Sequence, residues 1–107
     1  MSPYLLSDHA EIDLLEVCDY LDQRSRSAAS NWEKNILEAF DQLARHPLAA
    51  AARPELIGGQ LRILPVEEYV IIFDPKTEPI RILAILHGAR DIPAILRQRE
   101  GNHARQI

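Results

Sequence analysis

The residues best placed for chemistry fall in one run, from His87 through Gly88, Ala89, Arg90, Asp91, Ile92 and Pro93 to Leu96. An apolar stretch delivers His87, Gly88 permits a tight exit, and a cation and a carboxylate follow at once. A guanidinium beside an imidazole at a strand end can hold an anion or a peptide carboxylate. The same spacing also allows a structural outcome in which Arg90 pairs with Asp91 or another acid and pins the turn. The residue types do not choose between these two. Arg62 and Arg81 lie inside stretches that read as strands, where a long cation must reach past an edge or face an open sheet surface. As cross-strand neighbours on one face they could be presented together; edge protection is the alternative.

The signatures of common catalytic sites are missing: there is no P-loop, GxGxxG, HExxH or CxxC. His9, His46, His87 and His103 are scattered, and none pairs with another at ligand spacing, so no metal and no cofactor are expected. Cys18 sits among helically spaced apolar residues with acids nearby, which raises a thiol pKa, and is expected to be a core thiol and not a nucleophile. Asp13, Glu16 and Asp19 are expected to form a solvated polar face and not an acid–base pair.

These residues need elements to position them. Residues 3–7 read as an edge strand. Ser7 or Asp8 then stands as an N-cap, with Glu11 in position to complete a capping box. From there Ile12, Leu14, Leu15, Val17, Cys18 and Leu21 recur at helical spacing to about Arg24. After a break at residues 25–27, a second helix is predicted over 27–46, with Ala29, Trp32, Ile36, Ala39, Phe40 and Leu43 on one face, stopping before Pro47. Residues 47–60, with two prolines and two glycines, read as a loop.

Beyond it the period changes to that of strands, over 61–65, 69–74 and 80–87, the last two forming a hairpin. A short helix is expected from Ile92 to about Arg99, with Pro93 in its first turn, and residues 101–107 as a flexible tail. The order β-α-α-β-β-β predicts an α+β fold, an αα-hairpin on one face of an antiparallel meander. The other sheet face and the C-terminal segment are left to meet partners. At 107 residues the chain holds one core, taken here as a single domain over 1–100.

Charge is unevenly divided. Residues 1–41 hold nine acids against three bases, a net of −6, whereas residues 42–107 hold seven acids against nine bases. An acidic front and an Arg-bearing back could steer a polyanion to one side only, or the acids could simply solvate the helices. Bulk DNA binding needs a cationic excess that a net charge of −4 does not supply. One cysteine excludes an internal disulfide, so a reducing cytoplasm is the expected compartment. The N-terminal residues lack the basic region of a signal peptide, and the longest apolar run, 82–86, falls far short of the roughly 20 residues that span a membrane.

With these elements in place, the chain resembles the ParE/RelE superfamily of type II toxins. The likeness is carried by YLLSDHAEIDLLEVCDYL, by a helix ending FDQLARHP, and by the runs RPELIGGQLRILPVEEYVIIFDP and IRILAILHGARDIPAIL, over about residues 3–97. The resemblance implies a toxin neutralised by a cognate ParD-like antitoxin in a hetero-oligomer. ParE-like members inhibit DNA gyrase by stabilising its cleavage complex; RelE-like members cut messenger RNA on the ribosome.

The second chemistry must deprotonate a ribose hydroxyl and stabilise a charged phosphorane, which requires placed cations and a proton shuttle. Where the RelE pattern has a basic residue after the central aromatic, this chain has Val70 after Tyr69. Where RelE-like chains often carry a Tyr in the last helix, it has Ile95–Leu96. Arg62 and Arg90 match basic positions. The ParE branch therefore fits better, and the implied mechanism is binding without catalysis. Arg62, Tyr69, Arg81, His87, Arg90 and Asp91 are the expected target contacts, without direct sequence-specific nucleic-acid binding. A ribosome-dependent interferase and a degenerate, non-toxic binding module are the alternatives.

Overall fold

Serine caps start both helices of the hairpin, in a computed structural model that describes residues 3–53 and 60–105. Ser7, in extended backbone, accepts from the Ala10 amide and opens α1 (Asp8–Arg24). Ser25 closes α1, its amide donating to the Leu21 carbonyl, and opens α2 (Arg26–Arg45) by accepting from the Ala28 amide. The joint of the αα-hairpin is thus one residue and not three. A 3-10 turn at Pro47–Ala49 and a two-residue strand β2 (Ala51–Ala52) occupy ground the sequence left as loop. The remainder of that expected loop, residues 54–59, lies outside the described residues.

The strands are β1 (Tyr4–Leu6), β2, β3 (Arg62–Val66), β4 (Tyr69–Asp74) and β5 (Ile80–His87). They form one sheet in the order β1-β5-β4-β3-β2. The late strands are antiparallel as expected, and β1 adds in parallel to β5, giving a mixed α+β sheet. Pro65 lies on the part of β3 that β2 does not cover, where a missing amide is tolerated.

The sheet register explains the apolar run at 82–86. Phe73 pairs with Ile82 but Ile72 pairs with Ala84, so Leu83 is an extra residue, a β-bulge. The bulge reverses the alternation. Ile80, Ile82 and Ile85 pack under the hairpin with Trp32, Ile36, Phe40, Tyr69, Ile71 and Phe73. Ala84 and Leu86 turn to the opposite face with Ile63, Val70 and Ile72.

That opposite face is not left open. The C-terminal helix α3 (Ile92–Arg105), longer than the sequence suggested, lays Ile92, Ile95 and Leu96 on it. Strand β1 covers only Ile80–Ile82 of β5, and side chains finish the uncovered edge. Ser7 Oγ donates to the Leu83 carbonyl (3.2 Å), and Asp13 accepts the Ile85 amide (3.0 Å). Arg99 of α3 then closes on Asp13 through two hydrogen bonds of 2.8 Å each. Helices on opposite faces of the sheet are therefore clasped around its edge.

This corrects the reading of α1. Asp13 is 5% exposed, whereas Ile12 and Leu15, expected in the buried stripe, are 52% and 69% exposed. The buried or half-buried side of α1 is Ala10, Asp13, Leu14, Val17, Cys18 and Leu21.

Candidate functional site

The structure divides the six residues singled out in the sequence. Arg62 stands opposite Phe73 on the hairpin face, and its guanidinium donates to the Ala50 carbonyl (2.8 Å), tying down the segment that leads into β2. Arg81 stands opposite Asp74, on the α3 face. The two arginines therefore project to opposite faces, and the joint presentation conceived from sequence does not form. Asp91 accepts the Ala94 amide (3.1 Å) and starts α3, a capping role. Arg90 is exposed on the turn after β5, and its side chain makes no ion pair or hydrogen bond to a described residue, Asp91 included. Its backbone amide donates to the His87 carbonyl.

Tyr69 and His87 do come together, as directly opposed residues of β4 and β5 with ring centroids 5.3 Å apart. Tyr69 also packs edge-on against Trp32 at 5.3 Å. The indole Nε1 of Trp32 is buried and finds no acceptor among the described residues. His87 is held on both sides. Its Nδ1 accepts the Ala89 amide (3.1 Å), which leaves the hydrogen on Nε2, 3.6 Å from Glu68 Oε2.

These two rings form part of a groove of about 360 Å³ between α1 and the ends of β4 and β5, lined by Glu16, Val17, Tyr20, Leu21, Arg24, Glu68, Tyr69 and His87. Glu16, Tyr20 and Arg24 follow one another at a spacing of four along one stripe of α1. Arg24 lies 4.8 Å above the centre of the Tyr20 ring. Burial pushes the Tyr69 phenol pKa upward; Tyr20 and Glu68 add to the shift and Arg24 opposes it. Sequence reading missed Glu16, Tyr20, Arg24 and Glu68. The four-residue spacing was visible, but nothing local says that this stripe meets β4 and β5.

Two carboxylates flank three aromatic rings, and the groove's single cation is already stacked on one of them. A phosphorane would meet repulsion here; Arg62 is held by the Ala50 carbonyl, and Arg81 is exposed on the opposite sheet face.

A second groove, of about 330 Å³, runs along the outer side of the hairpin and is lined by Leu15, Cys18, Asp19, Asp22, Arg26, Ala29, Ser30 and Glu33. Burial raises the Cys18 pKa, and the Glu33 carboxylate, which accepts the thiol hydrogen at 3.8 Å, raises it further. A raised pKa means less thiolate, so iodoacetamide at pH 8 should alkylate Cys18 several-fold more slowly than a cysteine in a short peptide. Glu33→Gln should speed the reaction. Equal rates for protein and peptide would contradict the geometry. No group of three or more His, Cys, Asp or Glu side chains among the described residues could hold a metal ion.

A mixed five-stranded sheet, with an αα-hairpin on one face and a helix on the other, defines a class of small α+β domain whose two grooves described above are open ones. Within that class, the chain belongs to the family of ParE toxins of type II toxin–antitoxin systems (parDE), which matches residues 4–92. A solved chain of the chromosomal ParDE TA system from P. aeruginosa superposes with a TM-score of 0.65 at 24% identity, covering 78% of this chain and 92% of that one. At that identity the likeness speaks for the fold. No curated protein matches.

Proposed function

We infer that this toxin acts by binding DNA gyrase and stabilising its cleaved state, and that a ParD-like antitoxin neutralises it in the cytoplasm. Family membership gives the toxin–antitoxin context. One observation carries the preference for binding over RNA cleavage. The groove that holds His87, its one imidazole, is flanked by Glu16 and Glu68, where phosphate chemistry needs cations. A binder that prefers one state of a cycling enzyme shifts its population without chemistry of its own. Exposed Arg90 and Arg81, free of described partners, are the remaining candidates for contact with that target.

For the antitoxin, the outer side of the hairpin offers Ile12 and Leu15, exposed and adjacent on α1. A segment that folds on this surface would recover its ordering entropy by covering them.

The test combines purified protein, gyrase and supercoiled plasmid. Linear plasmid should accumulate after detergent and protease treatment, and added antitoxin should abolish it. Leu15→Asp should leave poisoning intact while weakening neutralisation about tenfold or more. Undiminished supercoiling at a large molar excess of toxin would overturn the gyrase reading. Codon-positioned cuts in ribosome-bound message would replace it with the interferase one.

A further inference from the structure

We propose that the groove between the second half of α1 and the ends of β4 and β5 is a receptor for an arginine side chain presented by a protein partner. The walls are π-faces and edges: Tyr20, 48% exposed; Tyr69, which lines the groove and is itself nearly buried; and His87. The rim carries Glu16 and Glu68. Aromatic rings beside carboxylates are the combination that attracts an organic cation, because ring quadrupole and formal charge act in the same direction. A guanidinium suits it better than an ammonium, since it stacks flat and can donate to two carboxylates at once. Val17 and Leu21 supply apolar surface for the aliphatic stem of the side chain.

The chain already demonstrates the contact. Arg24, one of its own residues, places a guanidinium 4.8 Å over the Tyr20 ring. It takes one face of Tyr20, while Glu68 stands 3.6 Å from His87 Nε2. The larger field agrees. Residues 1–41, which include all of α1, carry a net charge of −6, so approach of a basic segment is favoured and approach of a nucleic-acid backbone opposed. This inference does not depend on gyrase being the target. It concerns the side chain received, whichever protein carries it.

The probe is a capped pentapeptide, acetyl-Ala-Leu-Arg-Leu-Ala-amide, titrated into the full chain while ring resonances of Tyr20, Tyr69 and His87 are followed by NMR. Its partner probe replaces arginine with citrulline, which is nearly isosteric but exchanges one guanidinium NH2 for a carbonyl oxygen, removing the charge and two of the five N–H donors. The arginine peptide should shift all three rings and bind roughly tenfold more tightly than the citrulline one. Glu16→Gln and Glu68→Gln should each weaken it several-fold. Arg24→Ala should tighten it, because it vacates a Tyr20 face and removes a like charge. A purely structural Arg24 would produce no such gain. Equal binding of the two peptides, shifts confined to the outer side of the hairpin, or weaker binding by Arg24→Ala would overturn the proposal.

Discussion

Asp13→Ala is expected to lower stability by about 3 kcal/mol, the low end of the range for breaking a buried ion pair. Two losses combine. The Ile85 amide, in a strand segment that β1 does not cover, loses its acceptor, and an unsatisfied buried donor costs on the order of 1–3 kcal/mol. Arg99, whose side chain is 20% exposed, loses a bidentate partner and must keep a charge in a mostly covered position or swing into water. The escape route through that remaining exposure is why the low end is expected. Asp13→Asn keeps an oxygen for Ile85 and should cost less than Asp13→Ala. Arg99→Ala leaves a carboxylate that is 5% exposed with one donor in place of three and less access to water than Arg99 has, and should cost about 3 kcal/mol as well.

Because each single change strands the other's partner, the double variant should be well short of additive. Urea titration measures all four proteins. For a domain of this size, 3 kcal/mol corresponds to a fall in Tm of roughly 12–20 °C. A cost under about 1 kcal/mol for Asp13→Ala would mean that the clasp contributes nothing beyond solvent-exposed pairing.

Asp13 also shows where the sequence was silent. Along α2 the apolar period named all six residues that are in fact buried, Ala29 through Leu43, because that helix carries a single narrow stripe. Along α1, Ile12, Leu14, Leu15, Val17, Cys18 and Leu21 spread over a wide arc, and periodicity cannot say which edge of such an arc faces inward. The deciding contacts come from Ile85 and Arg99, 72 and 86 residues away. The same non-locality hid the parallel pairing of β1 with β5, the two-residue strand β2 and the bulge at Leu83. Strands β4 and β5 were legible to the residue, since β-branched and aromatic content and the turn between them are local properties.

The candidate site was legible only as residue types. Tyr69 and His87 meet because strand pairing sets them opposite each other. Arg62 and Arg81 do not meet because their cross-strand partners, Phe73 and Asp74, are adjacent in β4 and point to opposite faces. A register that sequence could not specify thus decided which pair became a site.

Ending the chain after Asp91 should have the largest effect of all. Helix α3 covers a sheet face made of Ile63, Val70, Ile72, Ala84 and Leu86, of which Ile72 and Leu86 are essentially inaccessible. Burial of an aliphatic side chain contributes about 1.5–3 kcal/mol when complete. Ile92 is fully covered, while Ile95 and Leu96 are half-covered and count for less. Together they stabilise by on the order of 4 kcal/mol before the face they shelter is counted. Losing Arg99 as well breaks the clasp on Asp13.

The total approaches the 5–15 kcal/mol that holds a typical domain together. The shortened chain should therefore lose cooperative unfolding or self-associate through the bared face, visible by circular dichroism and size-exclusion chromatography. Ile92→Ala alone should cost about 2–3 kcal/mol and remain monomeric. If the shortened chain instead stays monomeric and melts within a few degrees of the parent, α3 is an appendage and the second core does not stabilise the sheet. The distinction bears on function. A helix that the sheet cannot do without keeps Arg97 and Gln98, exposed on its outer side, at a fixed distance from Arg90. Target contacts on that side would then be preorganised on the folded domain, with little ordering cost on association.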